Sequence, residues 1–310
     1  MEKEFEWKNF LLAMGVSVAT GFAAVGMGVI YFKEYGFYIF VLLPIYLGFS
    51  VTTLYGKCTK ARVFGNTFLV LLFMCLPLIT FAVEGLICLV MAFPLAYLLA
   101  LIGALFGMAT WRTDHRNIGK IAPIIFLAIS PFLLGFESSH KSEPIVHQVV
   151  STVEINAPIE TVWRSVIAFP QIEKQPEGIL RLGFAYPINA KIEGTGVGAI
   201  RHCNFNTGAF VEPVTVWQEP NLLAFDVKEQ PAPMTEISPY DNLQAAHLEY
   251  IKSQRGQFRL YEKDGVTVVE GTTFYTHDIA PDFYWNLFSD EIIHQIHLRV
   301  LKHIKEISER

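Results

Sequence analysis

The sequence predicts an α-helical transmembrane region over residues 1–140, followed by an α+β domain over 141–310 made of antiparallel strands and a long carboxy-terminal helix. Three observations lead there. Long uncharged stretches fill the first part, and such stretches belong in a bilayer. Charge is unevenly divided: up to His140 there are 9 Lys/Arg and 7 Asp/Glu, but from Lys141 onward there are 15 and 22. The second part is therefore an ordinary, acidic, water-soluble domain. It also reads as short alternating segments split by turn signals, closed by one helical pattern.

About 20 apolar residues cross a hydrocarbon core about 30 Å thick. Residues 10–32 fit one span, and their Gly/Ala stretch "GFAAVGMG" offers small faces for helix packing. Residues 37–55 fit a second. The run Thr67–Thr110 holds 44 residues and one charge, Glu84. A single helix of that length would be about 66 Å long, twice a membrane. It has to fold back, and Glu84-Gly85 is the place to turn, giving spans over 66–83 and 86–110. A fifth span, 121–136, contains two prolines. Glu84 reads either as a hairpin tip at the interface or as a functional carboxylate inside the membrane.

Lys3, Lys8, Lys57, Lys60, Arg62, Arg112, Arg116 and Lys120 all fall on one side of a five-span path. The positive-inside rule makes that side cytoplasmic and the soluble domain extracytoplasmic. With four spans the domain would be cytoplasmic instead. The expected setting is a bacterial inner (cytoplasmic) membrane. The first apolar run is of full spanning length, which argues against a cleaved signal peptide.

In the second part, His147–Asn156 alternates like a strand, and Pro158 suits the first turn of a short helix whose face carries Ile159, Val162, Trp163 and Val166. Strand patterns follow over Gly183–Ile192, Val197–Phe205, Ala209–Trp217, Leu222–Lys228, Gln254–Glu262 and Val266–His277. The closing helix runs from Pro281 to about Ser308.

The stretches "VEINAPIETVWRSVIAFPQI" and "YWNLFSDEIIHQIHLRVLKHIKEI" resemble the first strand–helix corner and the closing helix of the START/Bet v 1-like helix-grip superfamily. That superfamily (SRPBCC) includes polyketide cyclase/dehydrase-like and lipid-transport proteins. The resemblance covers about Ile145 to Glu309. It implies a curved antiparallel sheet wrapped around the last helix, with a hydrophobic cavity between them. Fold alone does not fix function.

Candidate ligand-binding residues come from three places. On the closing helix, Trp285, Ile292, Ile293, Ile296, Val300 and Ile307 share the face that should meet the sheet, while Asp290, His294, His297 and Leu301 form a second stripe. Asp290 and His294 are four residues apart and can hydrogen-bond. In the hairpin "VGAIRHCNFNTGAFVEPVTVW", a two-residue turn at Asn206-Thr207 sets Arg201 opposite Glu212, whereas a three-residue turn sets His202 there. Arg201 and Glu212 keep phase with Phe205 and Phe210, so they point inward. Finally, the long connection Glu229–Tyr250 is of a length that tends to be functional. Met234, Ile237 and Tyr240 on it could cover a cavity mouth or dip into a bilayer surface, with His247, Arg255, Tyr275 and His277 near the same opening.

No metal ligand set, cofactor loop or nucleophile motif stands out: HxxH lacks a third ligand, "GTGVG" is a turn between strands, and the four cysteines have no zinc or disulfide spacing. The acidic balance gives no support for nucleic acid as a partner. The expected partners are the bilayer and a lipid or other hydrophobic small molecule. The function expected is membrane-tethered binding or transfer of that molecule. The alternative is a cyclase/dehydratase-type enzyme, with His202, Glu212, Tyr275, His277 and His294 as acid and base on a polyketide or isoprenoid-like substrate.

Overall fold

A computed structural model describes residues 2–112, 118–141, 143–240, 243 and 251–310. The chain divides into two compact units. The first comprises Met1–Glu143, Glu236–Ala246 and Ile279–Asp282, and the second comprises Pro144–Thr235, His247–Asp278 and Phe283–Arg310.

The first unit is helical. Helix α1 (Glu2–Gly26) runs on as a wider π-helical turn to Phe32, and another such turn from Tyr38 leads into α2 (Leu43–Tyr55). Helices α3 (Lys60–Thr80), α4 (Leu86–Ala109) and α5 (Ile118–Ser139) follow. Among the described residues, five helical stretches are long and apolar enough to cross a membrane: Glu6–Phe32, Tyr38–Tyr55, Lys60–Thr80, Leu86–Ala109 and Gly119–Ser139. The long apolar run breaks between Thr80 and Leu86, where the sequence turns at Glu84-Gly85. Glu84 is buried there and accepts a hydrogen bond from the Tyr35 hydroxyl at 2.7 Å.

Small residues let two helices touch backbone to backbone. A Cβ added at Gly48 of α2 would lie 1.8 Å from the Ala100 carbonyl oxygen of α4, and one at Gly103 of α4 would lie 1.8 Å from the Ile45 oxygen. Close approach of this kind lets dispersion hold helices together where lipid removes the hydrophobic drive. The "GFAAVGMG" stretch of α1 is a lesser case. Its Ala24 is fully buried, but a Cβ at Gly26 would meet nothing within 4 Å.

The second unit is a seven-stranded sheet in the order β1-β7-β6-β5-β4-β3-β2, antiparallel at every pairing. Its strands are β1 (His147–Ile155), β2 (Pro187–Glu193), β3 (Ile200–Phe205), β4 (Gly208–Gln218), β5 (Leu222–Asp226), β6 (Lys252–Lys263) and β7 (Val266–Thr276). Helix α6 (Ile159–Ile167) lies between β1 and β2 in the chain, and α7 (Asp282–Ser308) closes it. Sequential strands pair as a meander, and β1 returns beside β7. With a long terminal helix packed on that sheet, this is the helix-grip arrangement.

Strand β2 begins at Pro187 rather than Gly183, because Gly178–Leu182 form a 3-10 turn that Gly183 ends with φ of 109°. That left-handed conformation is open to glycine without a Cβ penalty. The core joins Ile155, Val162, Trp163 and Val166 to Leu223, Leu260 and Val269 of the sheet and to Val300, Leu301 and Ile304 of α7. The expected sheet-facing stripe holds in part, with Trp285 and Val300 buried and Ile307 packed against the core. Leu301 and Ile304 are fully buried, whereas Ile292, Ile293 and Ile296 are half-buried.

Candidate functional site

A cavity of about 110 Å³ lies within the second unit. Phe205, Phe210, Phe225 and Phe258 of the sheet form one wall, and Ile293, Ile296, His297 and Val300 of α7 form the other. Ser253, Arg255 and Val227 border it where β5 and β6 lead into the long connection. Gln230 ties the two ends of that connection together: its Nε2 donates to the Ile251 oxygen at 2.7 Å, and its Oε1 accepts from the Ser253 amide at 2.8 Å.

The polar floor is Arg201 and Glu212. Asn206-Thr207 make a two-residue turn, Phe205 pairs with Gly208, and the register sets Arg201 opposite Glu212. Both are buried, and the Arg201 Nη1 donates to the Glu212 carboxylate. Arg201 Nε also donates to the Ile167 carbonyl at 3.2 Å. The guanidinium stands 5.4 Å from the ring centre of Phe225, 5.5 Å from Phe258 and 5.9 Å from Phe169. Three aromatic faces and one carboxylate thus replace the water that a buried cation loses. Burial pushes the Glu212 carboxyl above its usual range, and the attraction of Arg201 offsets part of that. Burial also raises the neighbouring Cys203 thiol to about 12, so this cysteine is an unreactive wall residue.

Three hydrogen-bonded groups follow one another along α7, and His297 and Thr273 of the first line the cavity. His297 Nδ1 is 3.0 Å from Ser151 Oγ and its Nε2 is 2.7 Å from Thr273 Oγ1. Burial, aided by His294, lowers the His297 pKa to about 4, so its ring is neutral near pH 7. His294 Nδ1 is 2.7 Å from the same Ser151 Oγ, and the Tyr275 hydroxyl donates to Asp290 Oδ1 at 2.7 Å. Further along, His277 Nε2 is 2.6 Å from Asn286 Oδ1, and the Asn286 amide is 3.4 Å from His147 Nδ1.

These positions sort the sequence-derived candidates. Arg201, Glu212, Arg255 and His297 line the cavity. Tyr275, His277, Trp285, Asp290 and His294 do not; Tyr275 with Asp290, His277 with Asn286, and His294 with Ser151 form hydrogen-bonded groups along α7. No hydrogen bond joins Asp290 to His294 among the described residues, because Tyr275 and Ser151 reach them from the sheet. His202 is one residue out of phase and points to the other face, with Nε2 3.9 Å from Glu193. His247 lies outside the described residues.

Met234, Ile237 and Tyr240 are absent from the cavity lining. Met234 is buried in the second unit, bridged to Phe184, whereas Glu236–Ala246 belongs to the first unit. Glu236 accepts from the amides of Ile87 (3.1 Å) and Cys88 (3.3 Å) at the start of α4, and the Tyr240 hydroxyl donates to the Thr80 carbonyl. Sequence reasoning missed Ser151, Thr273 and Phe258. The only signal was that Ser151 shares phase with Val149, Val153 and Ile155 on β1.

The chain matches no protein-family model and no curated protein. It is similar to several solved structures over about half its length. One is a protein from Nitrosospira multiformis, at 18% identity and TM-score 0.35, covering 52% of this chain and 96% of that one. A second is truncated norcoclaurine synthase from Thalictrum flavum, at 14% identity and TM-score 0.34, covering 54% and 96%. A third is the Aha1 dimer from Colwellia psychrerythraea, at 16% identity and TM-score 0.30, covering 53% and 96%.

Proposed function

We propose that the second unit binds an apolar small molecule bearing one polar group, and that the apolar helices of the first unit tether it to a membrane. The observation that carries this reading is the buried Arg201–Glu212 pair in a cavity whose walls are mainly phenylalanine, isoleucine and valine, with Arg255, Thr273 and His297 among its polar lining. A buried ion pair usually costs as much desolvation as it returns in attraction. Its presence in a greasy hollow is understood if it meets the polar end of a ligand.

Size limits the reading. Drug-sized ligands occupy roughly 300–1,000 Å³, while a cavity of roughly 150 Å³ holds one benzene. The 110 Å³ observed fits a single ring or a short length of chain. A whole lipid is larger than this volume, so the reading concerns a small ligand or one end of a longer one. The tether would shorten the path of such a ligand between bilayer and cavity. By the positive-inside rule the helices set the amino terminus in the cytoplasm and the second unit outside it, in keeping with a bacterial inner membrane.

The test is mass spectrometry of lipids and small apolar molecules retained by gently purified protein. Loss of the retained molecule in Ile296→Phe, with the fold intact, is the expected result. Protein that retains nothing, or retains as much after the cavity is filled, refutes the reading.

A second reading, acid–base chemistry of the cyclase/dehydratase type, is favoured by one observation. Glu212 and His297 face the same cavity, with pKa values displaced in opposite directions by burial. Turnover of a polyketide-like substrate that fails in Glu212→Gln but survives in His294→Asn would support it.

A further inference from the structure

The start of α7 carries two of the most exposed apolar side chains of the second unit, Phe283 at 71% and Leu287 at 67% relative exposure. They are one helical turn apart and share a face. Asn286 lies between them in sequence and reaches His147 at the head of β1, directly after Ile145 (63% exposed) and Val146 (54%). One end of the sheet domain thus presents four exposed apolar residues from two chain segments.

Both segments issue from the first unit. Ile145 follows the end of α5 at Ser139 by six residues, a reach of at most about 20 Å. Phe283 follows Ala280 by three residues, about 10 Å at most. The Ala280 amide donates to the Tyr35 carbonyl at 3.1 Å, in the loop between Phe32 and Tyr38 that joins the first two apolar stretches. In a five-crossing path that loop and the end of α5 emerge on the same side of the membrane.

From this we infer that Phe283, Leu287, Ile145 and Val146 form a bilayer-docking patch that seats in the headgroup layer. The inference rests on reading the five apolar helices as membrane spans. Interfacial residues sink about 5–10 Å into the headgroup boundary. The stretch from Asp278 to Glu291 has acidic residues and no Lys or Arg, so the contact is apolar and independent of anionic lipid. Ser253, which borders the cavity, pairs with Tyr275, and Tyr275 pairs with His147, so the cavity border and the patch lie at one end of the sheet.

The test uses the full chain with Cys58→Ser and Cys75→Ser, reconstituted in phosphatidylcholine nanodiscs containing doxyl-labelled phosphatidylcholine. An environment-sensitive fluorophore is attached in turn to Phe283→Cys, Leu287→Cys, Ile124→Cys in α5 and Val197→Cys, an equally exposed apolar site outside the patch. The expected result is blue-shifted emission, reduced to roughly half by the doxyl lipid and unchanged by salt, at 283 and 287, with full water exposure at 197. Strong quenching at 124 with none at 283 and 287 overturns the docking patch and leaves the spans standing. No quenching at 124 removes the spans and the patch with them. Equal quenching at 197 and 283 overturns the patch as nonspecific adhesion.

Discussion

Arg201 on β3 and Glu212 on β4 stand directly opposite each other in the sheet register and form an ion pair inside an aromatic cavity. Removing one partner leaves the other charge buried alone, a loss of about 3–5 kcal/mol. Arg201→Met and Glu212→Leu should therefore each strongly lower the melting midpoint of the purified protein, followed by circular dichroism of the sheet. The double variant should recover most of that loss, since an apolar pair of similar volume costs no desolvation. Two single losses that simply add would show that the residues do not act as a pair.

His297 supplies the pH dependence. Its pKa is lowered to about 4 in the folded protein by burial and by His294, against a reference value of about 6.5. The unfolded chain then binds more protons than the folded one between those values, so stability is present above pH 6.5 and is lost as pH falls towards 4. The loss is at most about 3 kcal/mol, a ceiling set by 1.36 kcal/mol per unit. Glu212 works the other way, because its raised pKa removes stability as pH rises through it. The readout is therefore the difference between the parent and His297→Gln, whose unfolding free energy should vary less with acidity in that window. Curves that remain parallel would sink the assignment.

The legible and illegible parts of this chain differ for a physical reason. Asn206-Thr207 flanked by alternating residues narrows the hairpin to two registers within a dozen residues, with Arg201 or His202 opposite Glu212, and the structure takes the first. Glu84-Gly85 was legible because no helix of 44 residues fits a bilayer. The partner of His294 was not. An i, i+4 bond to Asp290 was available on the helix, but Ser151, 143 residues away on β1, took the imidazole instead. Likewise Leu301 and Ile304 join Val300 at the centre of the core while Ile293 and Ile296 line the cavity, because the sheet, not the helix, decides which residues it covers fully. Cavity volume is set by these long-range contacts, and no local pattern carries it.

Cavity size yields a prediction of its own. Phe258 contributes to the cavity wall and to the ring set around Arg201. Phe258→Ala enlarges the hollow and should cost about 3–5 kcal/mol while admitting a larger ligand. Retained molecules weighed by mass spectrometry should shift to heavier species relative to the parent. An unchanged ligand profile in a folded Phe258→Ala protein would mean that the cavity does not select by size.

The helical unit offers a paired test of close packing. A side chain at Gly48 would collide with the backbone oxygen of Ala100, whose position is held by the helix α4 itself. Neither helix can yield without losing contacts along its length, so Gly48→Leu should sharply reduce the yield of monodisperse protein in detergent, and Gly103→Leu should do the same from the other side. Gly26→Ala adds a Cβ into open space, where the change only improves helix propensity by up to about 1 kcal/mol. It should leave yield and melting unchanged or slightly higher. Size-exclusion profiles of the three variants decide the matter. If Gly48→Leu behaves like Gly26→Ala, then α2 and α4 are not in backbone contact, and dispersion between them is not what holds the bundle together.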